Sequence, residues 1–198
     1  MKPSTLGAAV AFAVAAVSAC TARDPVPPRP LPGASIQDIM VSIVDPSADT
    51  LWDAVSTETS AKGTVEHHPQ TDEEWQQLRR HAVTLAEAGN LLVMQGRQVS
   101  HVGKVEDAHV PGILAPSEIA ASISKDRPAF AARARALQDA ALLALDAIDA
   151  KSPQRLMAAG EKIDAACESC HMVHWYPNAE QPKVRWPAPI QPAALKKQ

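Results

Sequence analysis

The chain has 198 residues, 46% hydrophobic and 21% charged, with a formal net charge of −3 at pH 7. That is the balance of one ordinary globular domain with tails, and without a basic stripe it lacks the electrostatic footprint of a nucleic-acid binder. The one long apolar run, Leu6 to Ala19, is shorter than the ~20 residues that span a bilayer, which excludes a multi-pass membrane protein, and 3 cysteines exclude a disulfide-dense scaffold.

Residues 1–19 read as a secretory signal peptide: Lys2 supplies the positive start, Leu6 to Val17 the apolar stretch, and Ser18-Ala19 the small residues before cleavage. A buried N-terminal helix is the competing reading, but the stretch is apolar all round with no polar face. Val17-Ser18-Ala19-Cys20 resembles the lipobox of bacterial lipoproteins, which implies that Cys20 becomes the lipidated first residue; the alternative is an ordinary signal peptide with an incidental cysteine. Residues 20–34 form a Pro-rich linker, with five prolines between Pro25 and Pro32. Such a segment runs as an extended, semi-rigid spacer and would hold a lipid-anchored domain off the membrane.

Residues 35–176 carry helical patterning. The first helix is predicted over 35–55, with Ile36, Met40, Ile43 and Val44 on one face, a kink at Asp45-Pro46, and Leu51 returning to that face. The second opens at Thr71-Asp72-Glu73-Glu74, a capping-box pattern, and turns Leu78, Val83, Leu85 and Leu92 inward to about Gln95. From Arg97 to Arg127 runs a connection unusually long for a compact domain, in which Ser117 to Lys125 can form a short extra helix. The third helix starts near Pro128, with Phe130, Ala134, Leu137, Ala141, Leu145 and Ile148 as its stripe. The fourth starts at Ser152-Pro153 and turns Leu156, Ala159, Ile163 and Cys167 inward. No segment alternates with period two. The expected fold is therefore all-α, an antiparallel four-helix bundle, followed by an extended Pro-rich tail over 177–198.

The chemistry-bearing motif closes the fourth helix. Cys167-Glu168-Ser169-Cys170-His171 is C-x-x-C-H, the attachment signature of c-type heme. Two thiols three residues apart add to the two vinyl groups of heme, and the next histidine offers its imidazole to iron. A thioredoxin-like dithiol is less well matched, since no strand precedes the helix. A zinc site from Cys167, Cys170, His171 and His174 fits usual zinc spacings poorly.

With this motif near the C-terminus, on the last helix of an all-helical domain, residues 35–176 resemble the class II c-type cytochromes, cytochrome c prime and its low-spin relatives. Ala165-Ala166-Cys167-Glu168-Ser169-Cys170-His171 and the following Trp175-Tyr176-Pro177 carry the likeness. The resemblance implies a left-handed four-helix bundle holding one covalent heme c, with His171 as proximal ligand and a role in electron transfer or gas binding. The long third connection, the lipid signal and the Pro-rich tail depart from the family pattern.

Low-spin members of that family place a methionine on the first helix as sixth ligand, and high-spin members leave the position open. Met40 falls where the family would put it, and the competing reading is core filler. Met157 is excluded because it lies on the helix of His171, about 21 Å earlier at ~1.5 Å per residue. Met94, His81, His101, His109 and an empty position stay open. No position for partners of the heme propionates follows from the resemblance; Arg79 and Arg80 are more readily read as solvated, as are His67 and His68. The leading functional expectation is a one-electron carrier in the bacterial periplasm, lipid-anchored through Cys20 and exchanging electrons with redox partner proteins, with a homodimer allowed. The alternative is a high-spin protein that binds NO or CO. No nucleophile–base set argues for an enzyme.

Overall fold

The computed structural model describes residues 31–178. The signal peptide 1–19, Cys20, most of the linker 20–34 and nearly all of the tail 177–198 lie outside the described residues.

The described chain is mostly helical. Helix α1 (Ile36–Ile39) is launched by Ser35 in a reciprocal capping box: the Asp38 amide donates to Ser35 Oγ at 3.1 Å, and the Ser35 amide donates to Asp38 Oδ2 at 2.8 Å. The helix runs through a π-helical segment, Met40–Val44, into α2 (Asp45–Asp53). The expected kink at Asp45-Pro46 is thus a wider turn that keeps the helix continuous. Pro46 has no amide to donate, and its ring would collide with the carbonyl four residues back in a regular α-turn. The Asp45 amide instead donates to Met40 O, five residues back.

A β-hairpin follows, β1 (Ser56–Ser60) against β2 (Gly63–His67), antiparallel with Ser60 opposite Gly63. It corrects the all-α expectation. Every residue of both strands is exposed. Strand alternation is a signature of burying one face, and a hairpin with no buried face leaves none to read. Its signals are β-branched content and Gly63, which holds φ +124° at the turn, a conformation that side chains rarely adopt.

Helix α3 (Asp72–Leu92) opens on the expected capping box, with Glu74 N–H donating to Thr71 Oγ1 at 3.2 Å and Thr71 N–H to Glu74 Oε2 at 2.8 Å. Its inner face is Trp75, Leu78, Ala82, Leu85, Ala86, Ala88, Gly89 and Leu92. Val83, expected inside, is exposed; it directly follows Ala82, which takes the inward position. The short helix expected in the long connection is α4 (Pro116–Lys125), with Ile119 and Ile123 buried. Before it the connection is irregular but tied down. Val99 and Val105 enter the core, and Ile36 and Gln37 amides donate to the Gln98 and Val99 carbonyls at 2.8 and 3.0 Å. Arg97 donates to the Leu91 carbonyl at 2.8 Å and to the Ala34 carbonyl.

Helix α5 (Arg127–Asp149) buries the expected stripe, with Leu145 partly exposed. It ends in a Schellman turn: Lys151 N–H donates to Ile148 O and Ser152 N–H to Ala147 O, both at 2.9 Å, with Lys151 at φ +47°. Ser152 then caps α6 (Pro153–His174). Helices α3, α5 and α6 pack together, α2 lies against α3 and α6, and α4 lies against α5 and α6. Among the described residues, no helix is long and apolar enough to cross a membrane.

Candidate cofactor site

On α6, the spacing of Cys167, Cys170 and His171 puts all three on one helical face, one turn apart. Leu156, Ala159, Ile163 and Ala166 seat that helix in the core, which sets the motif against a cavity of about 240 Å³. Cys167, Cys170 and His171 line it from α6, and Met40 lines it from the π-helical segment. Most of the remaining lining is apolar, including Ile36, Val44, Ile119, Ile123, Phe130 and Leu137.

Position sets the protonation of these groups. Burial pushes the Cys167 thiol up to about 11, with the Asp45 and Asp164 carboxylates adding to it. Burial likewise pushes Cys170 up to about 11, against the opposing charge of Arg133. Both therefore sit as thiols. Burial lowers the His171 pKa, with Glu168 working the other way, so the ring is held as the neutral imidazole that can donate a lone pair. Burial also raises the Asp45 carboxyl, and Asp49 and Glu106 add like charge.

The chain beyond α6 folds over His171. Trp175 and Tyr176 amides both donate to the His171 carbonyl, at 2.8 and 3.0 Å. The Tyr176 ring centroid stands 5.7 Å from the imidazole and that of Trp175 6.3 Å. Tyr176 is fixed from the other side by its hydroxyl, which donates to Glu168 Oε2 at 2.6 Å. At the opposite wall, Trp52 donates through Nε1 to the Gly160 carbonyl at 3.1 Å, joining α2 to α6.

The other candidates for a ligand lie elsewhere. Met94 sulfur accepts from Arg97 at 3.2 Å, His101 pairs with Asp38 at 3.3 Å, and His109 is exposed. His81 lines a separate surface groove with His67 and His68. Arg79 and Arg80 pair with Asp149 and Glu73 at 2.9 and 3.4 Å, away from the cavity. Among the described residues, no three side chains of His, Cys, Asp and Glu are placed together as a ready-made metal-holding group.

Two lining residues were not legible as site residues. Arg133 of α5 enters the cavity wall beside Ala134 while donating through Nε to Ser169 O at 3.1 Å and through Nη1 to Ala129 O at 3.2 Å. His174 is 3% exposed, with its Nδ1 2.8 Å from Ser122 Oγ on α4 and its ring edge-on to Phe130 at 5.5 Å. Burial, then Arg133, lower its pKa, while Asp126 raises it. Its Nε2 is buried with no hydrogen-bond partner. Arg133 had one faint signal, a charge next to the inner stripe of its helix; His174 had its helical spacing from Cys167, Cys170 and His171, which in the sequence counted only as part of a zinc site.

This donor set fits a c-type heme. Two thiols one turn apart, a neutral imidazole beside them and a thioether from another helix share one largely apolar cavity, and a buried imidazole N there lacks the partner a polar ligand group would supply. No family profile, curated protein sequence or solved structure matches this chain.

Proposed function

We propose that the protein is a c-type cytochrome of the class II kind that carries single electrons in the bacterial cell envelope, lipid-anchored through Cys20. The observation that carries this reading is the convergence of Cys167, Cys170, His171 and Met40 on one cavity. On this reading the helix over 36–53 and helices α3, α5 and α6 make an antiparallel, left-handed four-helix bundle, with α4 as a lid over one end.

Cys167 and Cys170 would hold the heme through thioethers, His171 would be the proximal ligand and Met40 the sixth. When bound, heme supplies one-electron exchange at iron, and a His/Met pair raises its potential. The protein's part is to position and to exclude water. Burial keeps the two cysteines as thiols until they react, Trp175 and Tyr176 restrain the His171 ring, and the π-turn that accommodates Pro46 begins at Met40. The partners are redox proteins of the periplasm, and the role is that of a carrier, not an enzyme.

The test begins with intact mass after expression alongside heme-maturation machinery. The chain should gain one heme that stays on the protein in acidified organic solvent. A pigment-free protein with stoichiometric zinc overturns the reading. Met40→Ala should then lose the weak sulfur-to-iron band at the red edge of the oxidised spectrum, become high-spin and gain rapid CO binding. Identical spectra and CO kinetics in wild type and Met40→Ala make Met40 packing only and put NO or CO binding first.

A further inference from the structure

The cavity has two kinds of polar wall. Asp45, Asp164 and Glu168 contribute carboxylates to its lining, and Arg133 and His174 contribute the donors. An anionic group would be repelled from the first three and drawn to the last two. Of the five N–H groups of Arg133, one on Nε and one on Nη1 are committed to the backbone carbonyls of Ser169 and Ala129, which fixes the guanidinium while leaving its other donors. Ser122 Oγ stands 2.8 Å from His174 Nδ1 and 3.4 Å from the Val173 carbonyl; with its one proton given to the nearer Nδ1, the ring proton sits on Nε2, the buried atom with no partner. A carboxylate would satisfy that atom and the guanidinium together, and a buried donor left unpaired is costly.

We propose that Arg133 and His174 form the carboxylate-binding corner of the cavity and take a propionate of the heme, so that they set which edge of the macrocycle enters beneath α4. This rests on the heme reading above. Both are positioning residues. The arrangement also gives the short helix α4 a purpose, since its Ser122 holds the His174 ring through Nδ1 at 2.8 Å.

The test uses the full chain with Cys167→Ser and Cys170→Ser, so that binding is reversible, and two probes: iron protoporphyrin IX and its dimethyl ester, which lacks the carboxylates. The free acid should bind about tenfold tighter or more, as expected for charge-assisted hydrogen bonds. Arg133→Met and His174→Phe should each remove most of that preference, and Arg133→Lys should restore part of it. Equal affinity for acid and ester in the parent, or an undiminished preference in Arg133→Met and His174→Phe, overturns this inference and leaves the heme reading standing. Failure of both probes to bind a folded parent overturns this inference, while the heme reading is decided separately by the intact mass of the natively matured chain. In the natively loaded chain, the propionate-bending Raman band should shift in Arg133→Met and stay in place in Arg80→Gln; a band that ignores Arg133 also overturns the inference.

Discussion

Gly89 lies where α3 crosses α5. A Cβ there would stand 2.8 Å from the Ala134 carbonyl oxygen and 3.2 Å from Gln138 Cβ. The nearest obstacle is helix backbone, which cannot swing aside. Reaching ordinary contact at 3.4 Å would require the helices to part by about 0.6 Å. Two effects then oppose each other in Gly89→Ala. Helix propensity gains up to about 1 kcal/mol, and overpacking a filled seam costs about 1–3 kcal/mol. The seam is closely filled, with Ala88, Ala141 and Leu85 at 0% exposure, so the steric cost wins. Because the obstacle is helix backbone, the cost falls in the upper part of that range, about 2–3 kcal/mol, so the expected net loss is about 1–2 kcal/mol, a fall in Tm of about 3–6 °C for a domain of this size. Urea titration and thermal melts of the cofactor-free chain, followed by far-UV circular dichroism, measure it. Gly33→Ala, where nothing lies within 4 Å of the added Cβ, is the control. The seam also carries Leu92, Ala134 and Leu137 into the cavity wall, so the same variant should load heme less completely. A Gly89→Ala protein as stable as wild type, or more so, would refute the close-approach argument.

Other expectations follow from the same structure. With both thiols shifted from 9.0 to about 11, alkylation of Cys167 and Cys170 at pH 8 should be about 100-fold slower in the folded cofactor-free chain than in urea, because only thiolate reacts. The rate should climb through pH 11; because the folded pKa is the higher one, the stability linked to these thiols is present below pH 9 and lost as pH rises through 11. Lys151→Gly relieves a left-handed residue at φ +47° and loses one exposed ion pair with Asp72, so denaturant titration should find it more stable by about 0.5–1 kcal/mol. Cys20→Ala should move the protein from the membrane fraction to the soluble periplasmic fraction, and an unmodified N-terminus downstream of Cys20 in wild type counts against lipidation.

Much was legible locally. The capping box at Thr71, the cap at Ser152 and most of the inner faces of α3, α5 and α6 follow from short-range rules: which side chain reaches a free amide, and which residues recur every three or four positions. The C-x-x-C-H motif was equally plain, because its chemistry depends on spacing within one turn of one helix. Tertiary structure decided the rest. The hairpin over 56–67 buries no face, so it leaves no periodicity. Pro46 predicted a disturbance, but only the packing of the surrounding helix on the core chose a π-turn over a break. Of the side chains weighed as a sixth ligand, Met40 lines the cavity, while Met94 and His101 have partners elsewhere, His81 lines a separate groove and His109 is exposed, a sorting that only the packing of distant segments makes. Arg133 and His174 become a pair only when α4, α5 and α6 meet; no rule acting within one helix could join a guanidinium on one to an unpartnered imidazole nitrogen on another.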